Sequence, residues 1–99
     1  MSRQAPEAVI KTAIREYLDS VGIYWCHIQA GIGSKVGDPD LVVCIDGRFV
    51  GMEVKTRTGR QSYRQTVVAT QIEESGGVYA IVRSVDDVKH LIKHLRQED

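Results

Sequence analysis

Asp40 and Glu53 stand on either side of an Asp46-Gly47 dipeptide, each at the end of a run that alternates apolar residues with others. Asp-Gly between two such runs is a strong signal for a hairpin with a two-residue loop. With those residues as the loop, Ile45 faces Arg48, and following the ladder away from the turn brings Asp40 directly opposite Glu53. Their Cβ atoms would then lie about 4.5–5.5 Å apart on one face of the sheet. Lys55, two residues beyond Glu53, projects from the same face. Like charges directly opposed weaken a hairpin, so two carboxylates placed this way, with a lysine beside them, require a compensating cation. Mg²⁺ suits them, because it takes a couple of carboxylates and completes its coordination with waters and substrate phosphate oxygens. The simpler alternative is a solvent-exposed strand end with an incidental ion pair between Glu53 and Lys55.

The rest of the hairpin agrees with this placement. Leu41, Val43 and Ile45 on one strand, and Val50, Met52 and Val54 on the other, share the opposite phase and point to a core. Val42, Cys44, Phe49 and Gly51, on the carboxylates' face, are apolar or small. The carboxylates are therefore expected at one end of a sheet face that is otherwise buried, with Cys26 and Cys44 as small buried hydrophobes.

The elements around the hairpin can be read from their periodicity. Residues 6–21 form an amphipathic helix, with Val9, Ile10, Ala13, Ile14, Tyr17, Leu18 and Val21 at helical spacing, Pro6 at its first position and Gly22 at its end. Residues 23–29 are rich in β-branched and aromatic side chains and read as a strand, and 30–37 as a glycine-rich flexible loop. The hairpin strands span 40–45 and 48–56. Residues 62–75 read as a helix, 78–83 as a strand and 84–96 as a last helix, with Val85, Val88, Leu91, Ile92 and Leu95 on one face and Ser84 and Asp87 at its start. A crossover from the third strand through a helix to the fourth makes those two strands parallel. The expectation is one α/β domain over residues 1–99: a mixed four-stranded sheet flanked by helices.

Two more residues point toward the carboxylates. Glu7 lies at the edge of the first helix's core-facing stripe, where a partly buried carboxylate needs a partner; favouring the helix N-terminal dipole is its alternative role. Gln65 precedes Val68 and Ile72 at helical spacing and faces the sheet, but Ser62-Tyr63-Arg64-Gln65 also matches a capping box. His90 and His94, four apart on the last helix, have no third ligand near them and read as a polar face. His27 and Trp25 read as structural.

Charge and composition narrow the class. Thirteen Lys and Arg balance thirteen Asp and Glu, which excludes a protein that grips nucleic acid by bulk charge. A local basic patch remains, since Lys55, Arg57, Arg60 and Arg64 fall in a stretch without an acid. With 99 residues, 42% of them hydrophobic and 26% charged, the chain suits one globular domain. Its longest apolar run, 41–45, is far too short for a bilayer, and 1–7 lacks the apolar region of a secretory signal. Two cysteines make no disulfide framework, so a reducing cytosol is the expected compartment.

Gly37-Asp38-Pro39-Asp40, then Glu53-Val54-Lys55, then Gln65 in a helix, then Gly76-Gly77 and a strand ending Val82-Arg83-Ser84 resemble the VRR-NUC family of the PD-(D/E)xK nuclease superfamily. The resemblance runs from Glu7 to about Leu91. It implies a restriction-endonuclease-like αβββαβ core with an added C-terminal helix, and Mg²⁺- or Mn²⁺-dependent hydrolysis of DNA phosphodiesters. It assigns metal ligation to Asp40, Glu53 and the carbonyl of Val54, the catalytic lysine to Lys55, an auxiliary acid to Glu7 and an active-site glutamine to Gln65. Arg57, Arg60 and Arg64 would hold flanking phosphates without reading sequence, joined by Lys35 from the loop Gly31-Ile32-Gly33-Ser34-Lys35. Some relatives carry a tyrosine four residues after the glutamine; this chain has Ala69. Stand-alone members resemble dimeric four-way-junction resolvases, and cutting both strands needs two active sites. A homodimeric, structure-selective endonuclease acting on branched DNA in the cytoplasm (the host's, if phage-encoded) is therefore the leading expectation. Its rival is a non-catalytic DNA-binding or interaction module of a replication or repair assembly.

Overall fold

Asp46 and Gly47 both have positive φ, 51° and 82°. This is the backbone of a two-residue type I′ turn and the reason glycine takes its second place. The turn sets the ladder. In the computed structural model, which describes residues 5–29 and 33–97, Ile45 pairs with Arg48 and the register runs on to Leu41 opposite Met52. The two strands are β2, Leu41–Ile45, and β3, Arg48–Val54. Strand β1, Trp25–His27, pairs antiparallel with β2, and β4, Val78–Val82, pairs parallel with β3, so the sheet order is β1-β2-β3-β4. The parallel pair is the one joined by the crossover, as the connection requires.

Three helices complete the described residues: α1, Glu7–Ser20; α2, Tyr63–Glu74; and α3, Val85–Gln97. Pro6 precedes α1 with φ −61° and ψ 149°, outside its first turn. Both α1 and α2 end by turning an amide back on the last turn: Ile23 N–H reaches the Leu18 carbonyl and Gly77 N–H the Ile72 carbonyl, each at 2.9 Å. At the start of α3, Ser84 Oγ accepts the Asp87 N–H at 3.1 Å, and the Asp87 carboxylate accepts the Arg83 N–H at 2.8 Å.

Two of the three helices share one face of the sheet. Ile10, Ile14 and Leu18 of α1, with Val88, Ile92 and Leu95 of α3, pack on Leu41, Val43, Ile45, Val50, Met52, Val54 and Val82, all buried. This is the core the alternation predicts. The other face is covered by α2, which buries Val68 and Ala69, and by the Pro39 ring, which stands with Ile72 over Gly51. That layer is too narrow to reach the β1–β2 side. Contrary to expectation, Cys26 and Cys44 are exposed and Phe49 is 48% exposed. The face is half open, not otherwise buried. Strand β1 is also shorter than 23–29, because Ile23 is spent ending α1; Tyr24 and Ile28 each add one ladder bond beyond it, to Cys44 and Asp40. Trp25 is half-buried against the core, donates from Nε1 to Asp19 at 2.8 Å and lies under the Arg15 guanidinium.

The approach to β2 is tied to the first turn of α2. Gly37 has φ 94°, and a Cβ there would stand 2.5 Å from the Arg64 carbonyl oxygen. Gly47 also has positive φ, but a Cβ on it would meet nothing within 4 Å. Gly47→Ala is therefore expected to cost only the strain of the turn, about 1–2 kcal/mol. Gly37→Ala adds a backbone collision, for a total of about 3 kcal/mol or more. Chemical denaturation of the two variants checks this, and equal losses would contradict the tight approach.

Candidate active site

The ladder continues a step past the assigned strand ends, and that step builds the site. The Asp40 carbonyl accepts the Ile28 N–H at 3.0 Å, while its carboxylate Oδ2 accepts the Val54 N–H at 2.8 Å. Lys55 N–H in turn reaches the Val82 carbonyl at 3.1 Å. Asp40 is thus held from both sides, at the register position opposite Glu53. In an antiparallel ladder a residue's N–H and C=O face the same neighbour, so the Val54 carbonyl lies on Asp40's side of β3.

Glu53 is buried, at 5% exposure, between Met52 and Val54, which anchor it by pointing into the core on the other face. Its Oε2 lies 3.8 Å from Lys55 Nζ; its Oε1 is buried and, among the described residues, accepts no hydrogen bond. The Glu53 carboxyl is pushed up to about 7, first by burial and then by the Asp40 charge and the hydrogen bond the two carboxyls share when Glu53 holds a proton; Lys55 opposes the shift. The register that ends at Leu41 opposite Met52, continued by one residue, sets Asp40 opposite Glu53.

Lys11, which the sequence reading does not single out, enters this group from α1. Its Nζ lies 3.2 Å from Asp40 Oδ1 and 3.4 Å from Glu7 Oε2. Burial works against the ammonium, but Asp40 and Glu7 outweigh it and raise its pKa. Glu7 itself is not the partly buried carboxylate expected: its side chain is 46% exposed. The apolar stripe of α1 meets the core only from Ile10 onward, so Glu7 touches the site through Lys11. Lys11 stands four residues after Glu7, the spacing of an intrahelical ion pair, which was the available signal.

Gln65 completes the capping box. It donates its N–H to Ser62 Oγ at 3.2 Å and its Oε1 accepts the Ser62 N–H at 2.9 Å. Its carboxamide oxygen is thereby committed to the helix start. Arg57, Arg60, Arg64 and Lys35 are all exposed; Gly31 and Ile32 of the loop before Lys35 lie outside the described residues. Lys35 lines a groove of about 460 Å³ with Asp38, Pro39, Phe49 and Ile72, and an adjoining one of about 370 Å³ that reaches Asp40. Two further residues support the site. Arg83 donates from Nη1 to the Thr56 and Gly59 carbonyls, each at 2.7 Å, and so clamps the turn that follows Lys55. Tyr79 pairs with Gly51 in the parallel ladder, two residues from Glu53. Its hydroxyl is buried and closes no hydrogen bond of good geometry, although Gln61 is set against it. Burial raises its pKa, and the charges of Glu53 and Asp40 push the same way.

Among solved structures, one described as a VRR_NUC domain protein superposes with a TM-score of 0.76 at 19% identity, covering 92% of this chain and 88% of that one. Another, described as a VRR_NUC domain, gives 0.74 at 23% identity over 89% of this chain and 95% of that one. This chain has the VRR_NUC fold. Neither a protein-family model nor a curated protein matches it by sequence, so the likeness rests on structure.

Within this VRR_NUC fold, the groups that the sequence resemblance implies as metal ligands, Asp40, Glu53 and the Val54 carbonyl, offer only oxygen atoms. Among the described residues no group of three or more His, Cys, Asp or Glu side chains gathers for a metal, which leaves no zinc-type cage. Two carboxylates with a buried, unsatisfied Glu53 oxygen fit a hard divalent cation that keeps some of its waters.

The Glu53 shift has a definite sign. Its folded pKa, about 7, lies above the ordinary 4.5, so between those values the folded chain holds more protons than the unfolded one, and stability falls as pH rises. The unfolding free energy of the wild type relative to Glu53→Gln is expected to decline from about pH 4.5 to about pH 7 and then level off, in denaturant titrations without divalent cations. A flat difference would contradict the shift.

Proposed function

We propose that this chain is a metal-dependent DNA nuclease: a structure-selective endonuclease that uses Mg²⁺ or Mn²⁺ and acts as a homodimer on branched DNA such as four-way junctions. The observation that carries this reading is the pairing of Asp40 with buried Glu53 at the end of a half-open sheet face, with Lys55 beside them, in a VRR_NUC fold. A structural hairpin has no use for two adjacent carboxylates with a buried oxygen left unsatisfied.

The residues divide the work. Asp40, Glu53 and the Val54 carbonyl would hold the metal, which when bound polarises the scissile phosphate and acidifies a water. The Val54 N–H fixes the Asp40 carboxylate, and the core side chains flanking Glu53 fix its direction, so the ligands are set before substrate arrives. Lys55 is positioned by Glu53 to orient the attacking water or to offset negative charge that grows on the phosphate. Arg57 and Arg60, on the segment that Arg83 clamps, and Arg64 and Lys35 nearby, would hold flanking phosphates and set position without selecting sequence. Two copies supply the two sites needed to cut both strands of a junction.

The test is a panel of labelled duplex, flap, bubble and four-way-junction DNAs with Mg²⁺, Mn²⁺ or chelator. Cleavage is expected only with metal and most strongly on the junction. Asp40→Asn, Glu53→Gln and Lys55→Met are each expected to slow it by about 10²–10³-fold while the variants remain folded. Cleavage in chelator, or undiminished in Asp40→Asn, would refute the mechanism; binding without cleavage under every ion would favour the non-catalytic module. Sedimentation at micromolar concentration should show a dimer, and a purely monomeric species would remove that part of the proposal.

A further inference from the structure

The sequence resemblance assigns Lys11 no role, yet it is paired directly with the Asp40 carboxylate. Its Nζ is 3.2 Å from Asp40 Oδ1, and its side chain is only 19% exposed. The other Asp40 oxygen, Oδ2, accepts the Val54 N–H at 2.8 Å. Both Asp40 oxygens therefore have a partner, whereas Glu53 Oε1 is buried with none among the described residues. A divalent cation that uses Oδ1, the oxygen turned away from the Val54 N–H, has to take it from the ammonium, since two cations on one oxygen repel strongly where water is scarce. Glu7, one turn earlier on α1 and 3.4 Å from the same Nζ, gives the displaced ammonium a second anion to stay with.

We propose that Lys11 is a resident counter-cation of Asp40 that an incoming divalent metal displaces, with Glu7 retaining the ammonium beside the site. The proposal rests on the metal-dependent reading above. Lys11 then keeps the carboxylates from repelling one another before metal arrives, and it sets the metal affinity below what the carboxylate pair alone would give. Lys55 does not play this part: among the described residues its ion pair is with Glu53.

The experiment measures metal binding without DNA. Mn²⁺ is titrated calorimetrically into the wild type, Lys11→Met, Lys11→Arg and Asp40→Asn, and the lysine ε-CH₂ resonances of the wild type are followed by NMR as Mg²⁺ is added. Lys11→Met is expected to bind Mn²⁺ about five- to tenfold more tightly than wild type, the worth of one partly screened ion pair, and Lys11→Arg within about twofold of it. Asp40→Asn should lose the binding. The Lys11 resonance should move with Mg²⁺ and saturate, while those of Lys89 and Lys93 stay still; this readout decides the matter even if Lys11→Met fails to fold. Unchanged or weaker Mn²⁺ binding by folded Lys11→Met, or a Lys11 resonance that ignores Mg²⁺, overturns the role of Lys11 and leaves the metal reading standing. Absence of Mn²⁺ binding by both the wild type and Lys11→Met overturns both.

Discussion

Much of this structure answers to one unfavourable arrangement, a carboxyl buried next to another carboxyl. Glu53 is nearly sealed from solvent and Asp40 lies beside it. Neither position relaxes easily. Met52 and Val54 hold Glu53 in phase by filling the core on the other side of β3, and Asp40 is fastened by a backbone bond to β1 and a side-chain bond to β3. The repulsion is met by cations brought from different elements, Lys55 from the end of β3 and Lys11 from α1. A buried charge that must be balanced and cannot move away is a common sign of a working site.

The unequal layers around the sheet give this site its access. One face carries α1 and α3 and the whole aliphatic core, which supplies the rigidity. The other carries α2 and the Pro39 ring, whose narrow apolar contact leaves Phe49 and the β1–β2 thiols in the open and grooves beside Asp38 and Pro39. The proposed site lies at the boundary between the two regimes, where strand ends stop pairing with each other and begin to pair with side chains.

How legible this was depended on range. The register followed from two turn residues, and with it the opposition of Asp40 and Glu53, the phase of Lys55 and the core alternation. These are local and periodic properties, fixed within the sixteen residues from Asp40 to Lys55. The crossover helix and its parallel strand followed from connection rules. What escaped was set by layers and by long side chains. Lys11 belongs to the helix that packs on the core face, and only its length carries it to Asp40. Arg83 acts on backbone carbonyls, which leave no mark in a sequence. The exposure of Cys26 and Cys44 depends on how far α2 extends over the sheet, and that of Glu7 on where α1 first meets it. Gln65 was legible in both its readings, and the capping bonds show which one its carboxamide oxygen serves.

The type I′ turn has one more consequence, and it concerns how the chain can vary over evolutionary time. Because side chains alternate faces with every residue, a single insertion or deletion in a strand, or a slipped turn, would carry Glu53 to the aliphatic side and Met52 to the open one. Drift in the length of this hairpin should therefore be tolerated only in steps that preserve parity, even though the tip itself is solvent-exposed and its Asp46 pairs with Arg96 at the exposed end of α3.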